Sequence, residues 1–330
     1  MHLSLENQDQ NMPQTESLAV GFDIGGSQTK LGLVDRRGRV LKRRSFPTRL
    51  EAEGRAPFLR RLEVEIQALL DLAPSDVAGI GAAFLGWINE QRSGPFFCMN
   101  APELHDFDFK SWLTERFHLP VAVHDDVSAH TLAEYTYGAA GGARRFLCLA
   151  MGTGLGAGVM IDGELLQFSA GTAGDTGHLI LRPGGAVCAS GCRGCAEALI
   201  GVAGIERLGV EKYGTLHPAR TIIQAAALGS DPTAVEIMRT IGGYTGELLA
   251  SLSNIFLPEK IVLLGGTAQA GAVLLEAARQ QIEYLVGDYR RSLAAVSRGA
   301  FSEIEISLSK LNDETGVIGA VVDLFKPRGG

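Results

Sequence analysis

The chain has no uninterrupted apolar run approaching the roughly 20 residues that a membrane-spanning helix requires. It also lacks a basic stripe. Lys and Arg number 30 against 37 Asp and Glu, a formal charge of −7, so neither nucleic acid nor an anionic membrane is an expected partner. No secretory leader pattern is visible, which argues for a cytoplasmic location and against structural disulfides. Cysteine is scarce, five in 330 residues. Its distribution is nonetheless the first positive signal.

Three of the five stand in Cys188-x3-Cys192-x2-Cys195, shortly after Gly177-His178. A Cys₃His set with thiolates three or four residues apart lets one tight loop wrap a tetrahedral Zn²⁺, and glycines at 184, 185, 191 and 194 permit the wrapping. Buried free thiols are the competing reading, yet a glycine-rich loop offers little core for three of them. A disulfide leaves one thiol over. A structural zinc held by His178, Cys188, Cys192 and Cys195 is expected, although spacing alone leaves open which thiols bind.

A chain of this length exceeds one ordinary core, so two lobes with a cleft between them are expected. Residues 1 to 17 are polar and read as a disordered tail, too short for a helix-turn-helix domain. The segments 18 to 24, 30 to 35 and 40 to 46 alternate as strands. Pro57 opens an amphipathic stretch, and a buried strand follows over 77 to 84. A helix near 109 to 117, a strand over 120 to 124 and a helix over 127 to 137 complete a βββαβαβ unit with its closing helix. The second half begins alike, with strands at 146 to 151 and 158 to 162, which points to a duplicated unit. After the cysteine loop come helical stretches at 195 to 209, 219 to 228 and 232 to 256 and a strand at 260 to 264. A helix near 270 to 285, a strand at 303 to 308 and a last helix from about 314 follow. This is an α/β chain, with an amino-terminal lobe over 18 to 138 and a carboxyl-terminal lobe over 139 to 330 that carries the zinc loop, 178 to 197.

Two glycine turns occupy matched places in the two halves: Asp23-Ile24-Gly25-Gly26-Ser27-Gln28-Thr29-Lys30 and Met151-Gly152-Thr153-Gly154-Leu155-Gly156. Backbone amides at glycine approach phosphate oxygens unhindered, and the hydroxyls of Ser27, Thr29 and Thr153 can add donors. Singly each turn is as readily a plain hairpin; paired, they suggest a cleft that grips phosphates from both sides. A third turn, Leu264-Gly265-Gly266-Thr267, opens toward a helix and suits a nucleotide's sugar or α-phosphate, with a simple strand-to-helix connection as the alternative. Finally, His124-Asp125-Asp126 ends a strand. Phosphoryl transfer needs a carboxylate to orient the attacking hydroxyl and take its proton, while a helix start needs an N-cap. The two aspartates can divide these tasks.

Taken in order, these motifs resemble the ROK family of sugar kinases over about residues 20 to 320. The resemblance implies an actin-like (ribonuclease H-like) two-lobe fold, ATP and Mg²⁺ in the cleft, and transfer of the γ-phosphate to a hexose hydroxyl, usually at C6. It assigns Asp23, Gly25, Gly26, Ser27, Thr29 and Lys30 to the first phosphate loop, with Asp23 also holding Mg²⁺ through water. Gly152, Thr153, Gly154 and Gly156 form the second loop and Gly265 and Gly266 the adenosine contact. Asp126 becomes the general base. Sugar contacts fall to Asn100, Asp125, Asp126, Asp175, His178 and Glu197, and a homodimer is implied.

The chain departs from the family pattern at several of these positions. Asp125 replaces an asparagine, exchanging an amide that donates and accepts for a group that, ionised, only accepts. Asp175 replaces a glutamate one methylene longer. Leu85-Gly86-Trp87 stands for Pro-Gly-Pro beside the pocket, and Ser190 stands where a second cysteine is usual, with Cys192 taking its place. The substrate expected is glucose, with N-acetylmannosamine, N-acetylglucosamine or fructose as alternatives and a non-catalytic sugar sensor as the reading of another class.

Overall fold

The computed structural model describes residues 17–74, 76–98, 101–168, 173–298, 301, 303–311 and 313–326. Asn100 and residues 1 to 16 of the expected tail lie outside the described residues.

The main strands form two five-stranded sheets. In the first, β1 (Leu18–Ile24), β2 (Gln28–Asp35) and β3 (Val40–Pro47) make an antiparallel meander, and β4 (Val77–Phe84) pairs parallel with β1. A hairpin of β5 (Trp87–Ile88) and β6 (Pro95–Phe97) precedes β7 (Val121–Asp125), which pairs parallel with β4. The second sheet repeats the plan. There β8 (Arg145–Met151), β9 (Leu155–Ile161) and β10 (Glu164–Leu165) are antiparallel, β11 (Lys260–Leu264) joins β8 in parallel, and β12 (Glu305–Leu308) joins β11. The spatial orders, β3-β2-β1-β4-β7 and β10-β9-β8-β11-β12, are the same order twice.

Helices α1 (Leu50–Glu53) and α2 (Arg55–Leu70) link β3 to β4; α3 (Phe109–Phe117) precedes β7 and α4 (Asp126–Tyr137) follows it. In the second unit α5 (Ala196–Ile200), α6 (Val202–Tyr213), α7 (Ala219–Leu228) and α8 (Pro232–Phe256) stand between β10 and β11. Then α9 (Ala272–Val296) precedes β12 and α10 (Thr315–Val321) follows it. Three expectations need correction. Helix α2 starts at Arg55 because Pro57 sits in its first turn, where its missing N–H costs nothing. The stretch 195 to 209 is two helices, broken at extended Gly201, after which Val202 N donates to Gly152 O at 3.3 Å. Helix α9 runs on to Val296 and does not stop near 285.

The first core forms where β1 and β4 are covered on both faces. Phe22 and Phe84 meet edge-on at 5.9 Å and Phe84 lies 4.5 Å from Phe109, all fully buried; each such ring contributes about 1.5–3 kcal/mol by leaving water. The second core joins Leu147, Leu149, Ile261 and Leu263 to the inner faces of α8 and α9. The closing helices are exchanged between the units: α10 packs on β1 and β4, while α4 packs on β8, β9 and α10. Small residues allow this close layering, with Ala83, Ala129 and Ala320 in one buried cluster. Asp23, near the end of β1, lies beside Gly316 of α10, and Gly156 lies beside Val127 of α4. Among the described residues no helix is long and apolar enough to cross a membrane.

Candidate active site

The first glycine turn is tied down at both ends. Gly25 N donates to Gln28 O at 3.0 Å and the Thr48 hydroxyl donates to Gly25 O at 2.7 Å. The Thr29 hydroxyl lies 3.1 Å from that of Thr48 and the residue is fully buried. Thr29 therefore braces the turn, and the expectation that its hydroxyl meets phosphate is corrected. Strand alternation explains the difference, since Thr29 faces the core and Lys30 the opposite side. In the second turn Gly156 serves packing: a Cβ there would lie 2.8 Å from Val127 Cγ2, so its absence lets α4 lie against β9.

A cavity of about 640 Å³ opens between the lobes, lined by Asp23, Lys30, His130, Gly265, Gly266 and Thr315 among others. Its size is that of a small-molecule site. Gly265 adopts φ +95° with its Cα against Met151 O, a position closed to any side chain. The turn leads into a single 3₁₀ turn, Thr267–Ala270, and α9 starts only at Ala272, so no helix N-terminus abuts Gly266 as the sequence suggested. The Lys30 ammonium donates to Asp313 O at 3.1 Å. Burial pushes the Asp23 carboxyl upward, opposed by His130 and Lys30.

At the end of β7 the two aspartates do divide their tasks. Asp125 is the N-cap of α4, its Oδ1 accepting from Ser128 N at 2.8 Å. Its Oδ2 is buried without a partner. Burial raises its pKa to about 6, against the opposing bonds from Ser128 and the charge of Arg92. Asp126, half-buried, is pushed up to about 8, by burial first and then by the charges of Asp125 and Asp23. His124 points away, its Nε2 3.4 Å from Asp323 Oδ2, and burial holds it down at about 4.

Asp125→Asn tests this electrostatic reading. The amide oxygen keeps the cap, and an NH₂ replaces the orphaned oxygen. Because the folded-state pKa is raised, ionising Asp125 costs stability as pH climbs from the ordinary aspartate value of 3.8 through about 6. That cost is on the order of 3 kcal/mol at neutral pH. The variant is expected to melt higher than the wild type at pH 7.5, with the gap closing toward pH 4.5. A gap independent of pH in thermal melts contradicts the assignment.

The cysteine loop folds as its composition suggests. Ligand atoms of His178, Cys192 and Cys195 lie within 4.8 Å of one another, as do those of His178, Cys188 and Glu197. His178 Nδ1 is 3.7 Å from Cys188 Sγ, close to the roughly 3.6 Å that two ligands of one tetrahedral zinc keep. Burial, then Cys188 and Cys192, push the Cys195 thiol up to about 12, a crowding that a dication relieves. The donor set fits zinc. Its other ring nitrogen, Nε2, lies 3.8 Å from Asp175 Oδ2. Glu197 accepts from Leu155 N at 3.2 Å, beside the second glycine turn. The loop thus joins Asp175, His178 and Glu197 to the cluster of thiols.

Sequence reasoning missed His130 and Thr315, which line the cavity, and Arg92. Arg92 sits on the turn of the β5–β6 hairpin, hydrogen-bonds Gln167 of the other unit and acts on Asp125. His130 carried a readable signal, since it follows Asp126 by four residues and so shares its helix face.

Two sheets of one strand order, with a cleft between them lined by Asp23, Lys30, Gly265 and Gly266 and two carboxylates where β7 meets α4, define an actin-like kinase fold. The chain belongs to the ROK family, whose model matches residues 19–326. It is 31% identical to a glucokinase of Halalkalibacterium halodurans over 91% of this chain and 92% of that one. It is 29% identical to a xylose repressor of Caldicellulosiruptor bescii, covering 92% of this chain and 76% of the repressor. Among solved structures, a ROK family glucokinase from Streptomyces griseus in complex with glucose and AMPPNP superposes with a TM-score of 0.74. That match has 27% identity and covers 93% of this chain and 99% of the other.

Proposed function

We propose that the protein is an ATP-dependent glucose kinase that phosphorylates the C6 hydroxyl, with Asp126 as general base. The observation that carries this is positional. Asp126 is the first residue of α4, one turn before His130, which lines the nucleotide-sized cavity together with Asp23. The similarity to glucokinases, one of them solved with glucose and AMPPNP, supports the choice of sugar and donor. Asp126 takes the hydroxyl proton as the sugar oxygen bonds to the γ-phosphorus, the bond to the bridging oxygen breaks, and ADP leaves. Asp175, His178 and Glu197 orient the sugar from the second lobe. Lys30 and the backbone at Gly25, Gly26, Gly152 and Gly154 hold phosphate, and Gly265 and Gly266 lie under the adenosine.

Asp23 and Asp126 belong to no carboxylate cage among the described residues, which suits Mg²⁺, an ion held mostly by substrate phosphates with one or two carboxylates. Mg²⁺, when bound, neutralises charge developing on the phosphates. Zinc is assigned a structural role, and a homodimer is the assembly proposed on the family resemblance.

A base must be ionised to act, so kcat/KM for sugar is expected to rise with pH, one log unit per pH unit, below the free enzyme's Asp126 pKa. That limb lies above the ordinary carboxylate range, because Asp126 is displaced toward about 8. A profile flat down to pH 5 contradicts it. Substrate choice is read by coupled ADP release from MgATP with glucose, mannose, fructose, N-acetylglucosamine and N-acetylmannosamine. Glucose is expected to give the highest kcat/KM; preference for an N-acetylated sugar moves the assignment to that substrate, and silence across the set refutes the kinase reading.

A further inference from the structure

We propose that His130 is a direct ligand of the nucleotide's polyphosphate, its Nε2–H donated into the cavity while the Thr315 hydroxyl holds the ring through Nδ1. This rests on the kinase reading above and adds to it a contact on which neither phosphate loop depends.

The geometry of the ring comes first. His130 lies on α4 one turn beyond Asp126 and lines the 640 Å³ cavity together with Asp23, Lys30, Gly265 and Gly266. Its Nδ1 is 2.7 Å from Thr315 Oγ1, on the first residue of α10. Thr315 is buried, 5% exposed, so the ring is pinned by one of the two exchanged helices while carried by the other. A neutral imidazole has one donor and one acceptor nitrogen. Taking the Thr315 hydroxyl as the donor to Nδ1 puts the proton on Nε2. That leaves a donor on the cavity wall, where a phosphate oxygen can accept it.

Charge gives the second argument. Of the side chains around the cavity, Lys30 is the fixed cation, and Asp23 and Asp313 are both acidic. Carboxylates outnumber cations in a place where a polyphosphate must sit. The groups acting on His130 are Asp23 and Lys30, from the ends of β1 and β2, with the hydroxyl of Thr315 from α10. A neutral N–H donor adds attraction for phosphate without a second full charge against Lys30, and it takes no part in proton transfer from the sugar. His130 is thus a nucleotide-binding residue and not a second base.

The test is calorimetric titration of zinc-loaded protein with MgAMPPNP, and separately with glucose. His130→Ala is expected to weaken MgAMPPNP about 10- to 100-fold, the range of one hydrogen bond to a charged group, with glucose affinity unchanged within about twofold. His130→Gln, whose amide nitrogen reaches the Nε2 position, is expected to recover most of that loss. Thr315→Val, which removes the hydroxyl that fixes the tautomer, is expected to fall between. MgAMPPNP affinity in His130→Ala equal to wild type overturns the inference. So does an equal loss in the Ala and Gln variants accompanied by lower melting temperatures, since that is a purely structural tie between α4 and α10. Because the readout is nucleotide binding, failure of the wild type to phosphorylate any sugar counts against the kinase reading alone. A wild type that binds no MgAMPPNP overturns both.

Discussion

Asp126→Asn is expected to lower kcat for sugar phosphorylation by about 10²- to 10⁴-fold, the usual contribution of a positioned base, while glucose affinity changes by less than about threefold. The asparagine keeps the size of the side chain and its acceptor oxygen, which in the wild type receives Val127 N at 2.9 Å, so the start of α4 is not disturbed. What disappears is the group that takes the proton. The substitution also removes a carboxylate that burial and the charges of Asp125 and Asp23 disfavour, so the folded protein is expected to be no less stable than the wild type. Single-turnover kinetics beside glucose titration separates the two effects. A variant that retains turnover within tenfold of wild type removes Asp126 from the mechanism.

Loss of the metal is expected to have the second large effect. His178 connects the thiols of the loop to Asp175, a proposed sugar ligand, and Glu197 lies within reach of both His178 and the second glycine turn. With zinc stripped by a chelator, or excluded by Cys195→Ser, the imidazole loses its strongest tie and keeps only the longer contacts with Cys188 and Asp175. Glucose affinity is then expected to fall about tenfold or more, the worth of a hydrogen bond in such a site, and the melting transition to drop. Elemental analysis is expected to find one zinc per chain in the wild type and none in the variant. Unchanged glucose binding in protein shown to be zinc-free removes the link between metal and pocket.

Much of this was legible in the sequence, because strands and turns are local. The alternation over 18 to 46, its echo after residue 145 and the punctuation by Gly25-Gly26 and Gly152–Gly156 gave the duplicated sheet directly. The cysteine spacing gave the cluster of thiols with His178 for the same reason, since all of them lie within one short segment. Less legible are roles that depend on what lies across from a residue. Loop composition offers Thr29 as a phosphate donor, but strand alternation turns it toward Thr48. Gly156, expected at a phosphate, also stays bare because Val127 of α4 lies where its Cβ would be.

The exchange of α4 and α10 between the two units is tertiary, and no local pattern announces it. His130 and Thr315 meet only because of that exchange, as do Glu134 and Ser309, a pair fixing the segment that borders the nucleotide cavity. Arg92 comes to act on Asp125 for a similar reason. Its hairpin reaches across to Gln167 of the second unit, a contact written in no motif.

The most direct test of the central claim is to incubate the protein with glucose and MgATP and resolve the products by ³¹P NMR. The account predicts ADP and glucose 6-phosphate in equal amounts from the wild type and neither from Asp126→Asn on the same time scale. ATP left unchanged by folded, zinc-loaded protein, or γ-phosphate appearing as inorganic phosphate with no sugar ester, contradicts it.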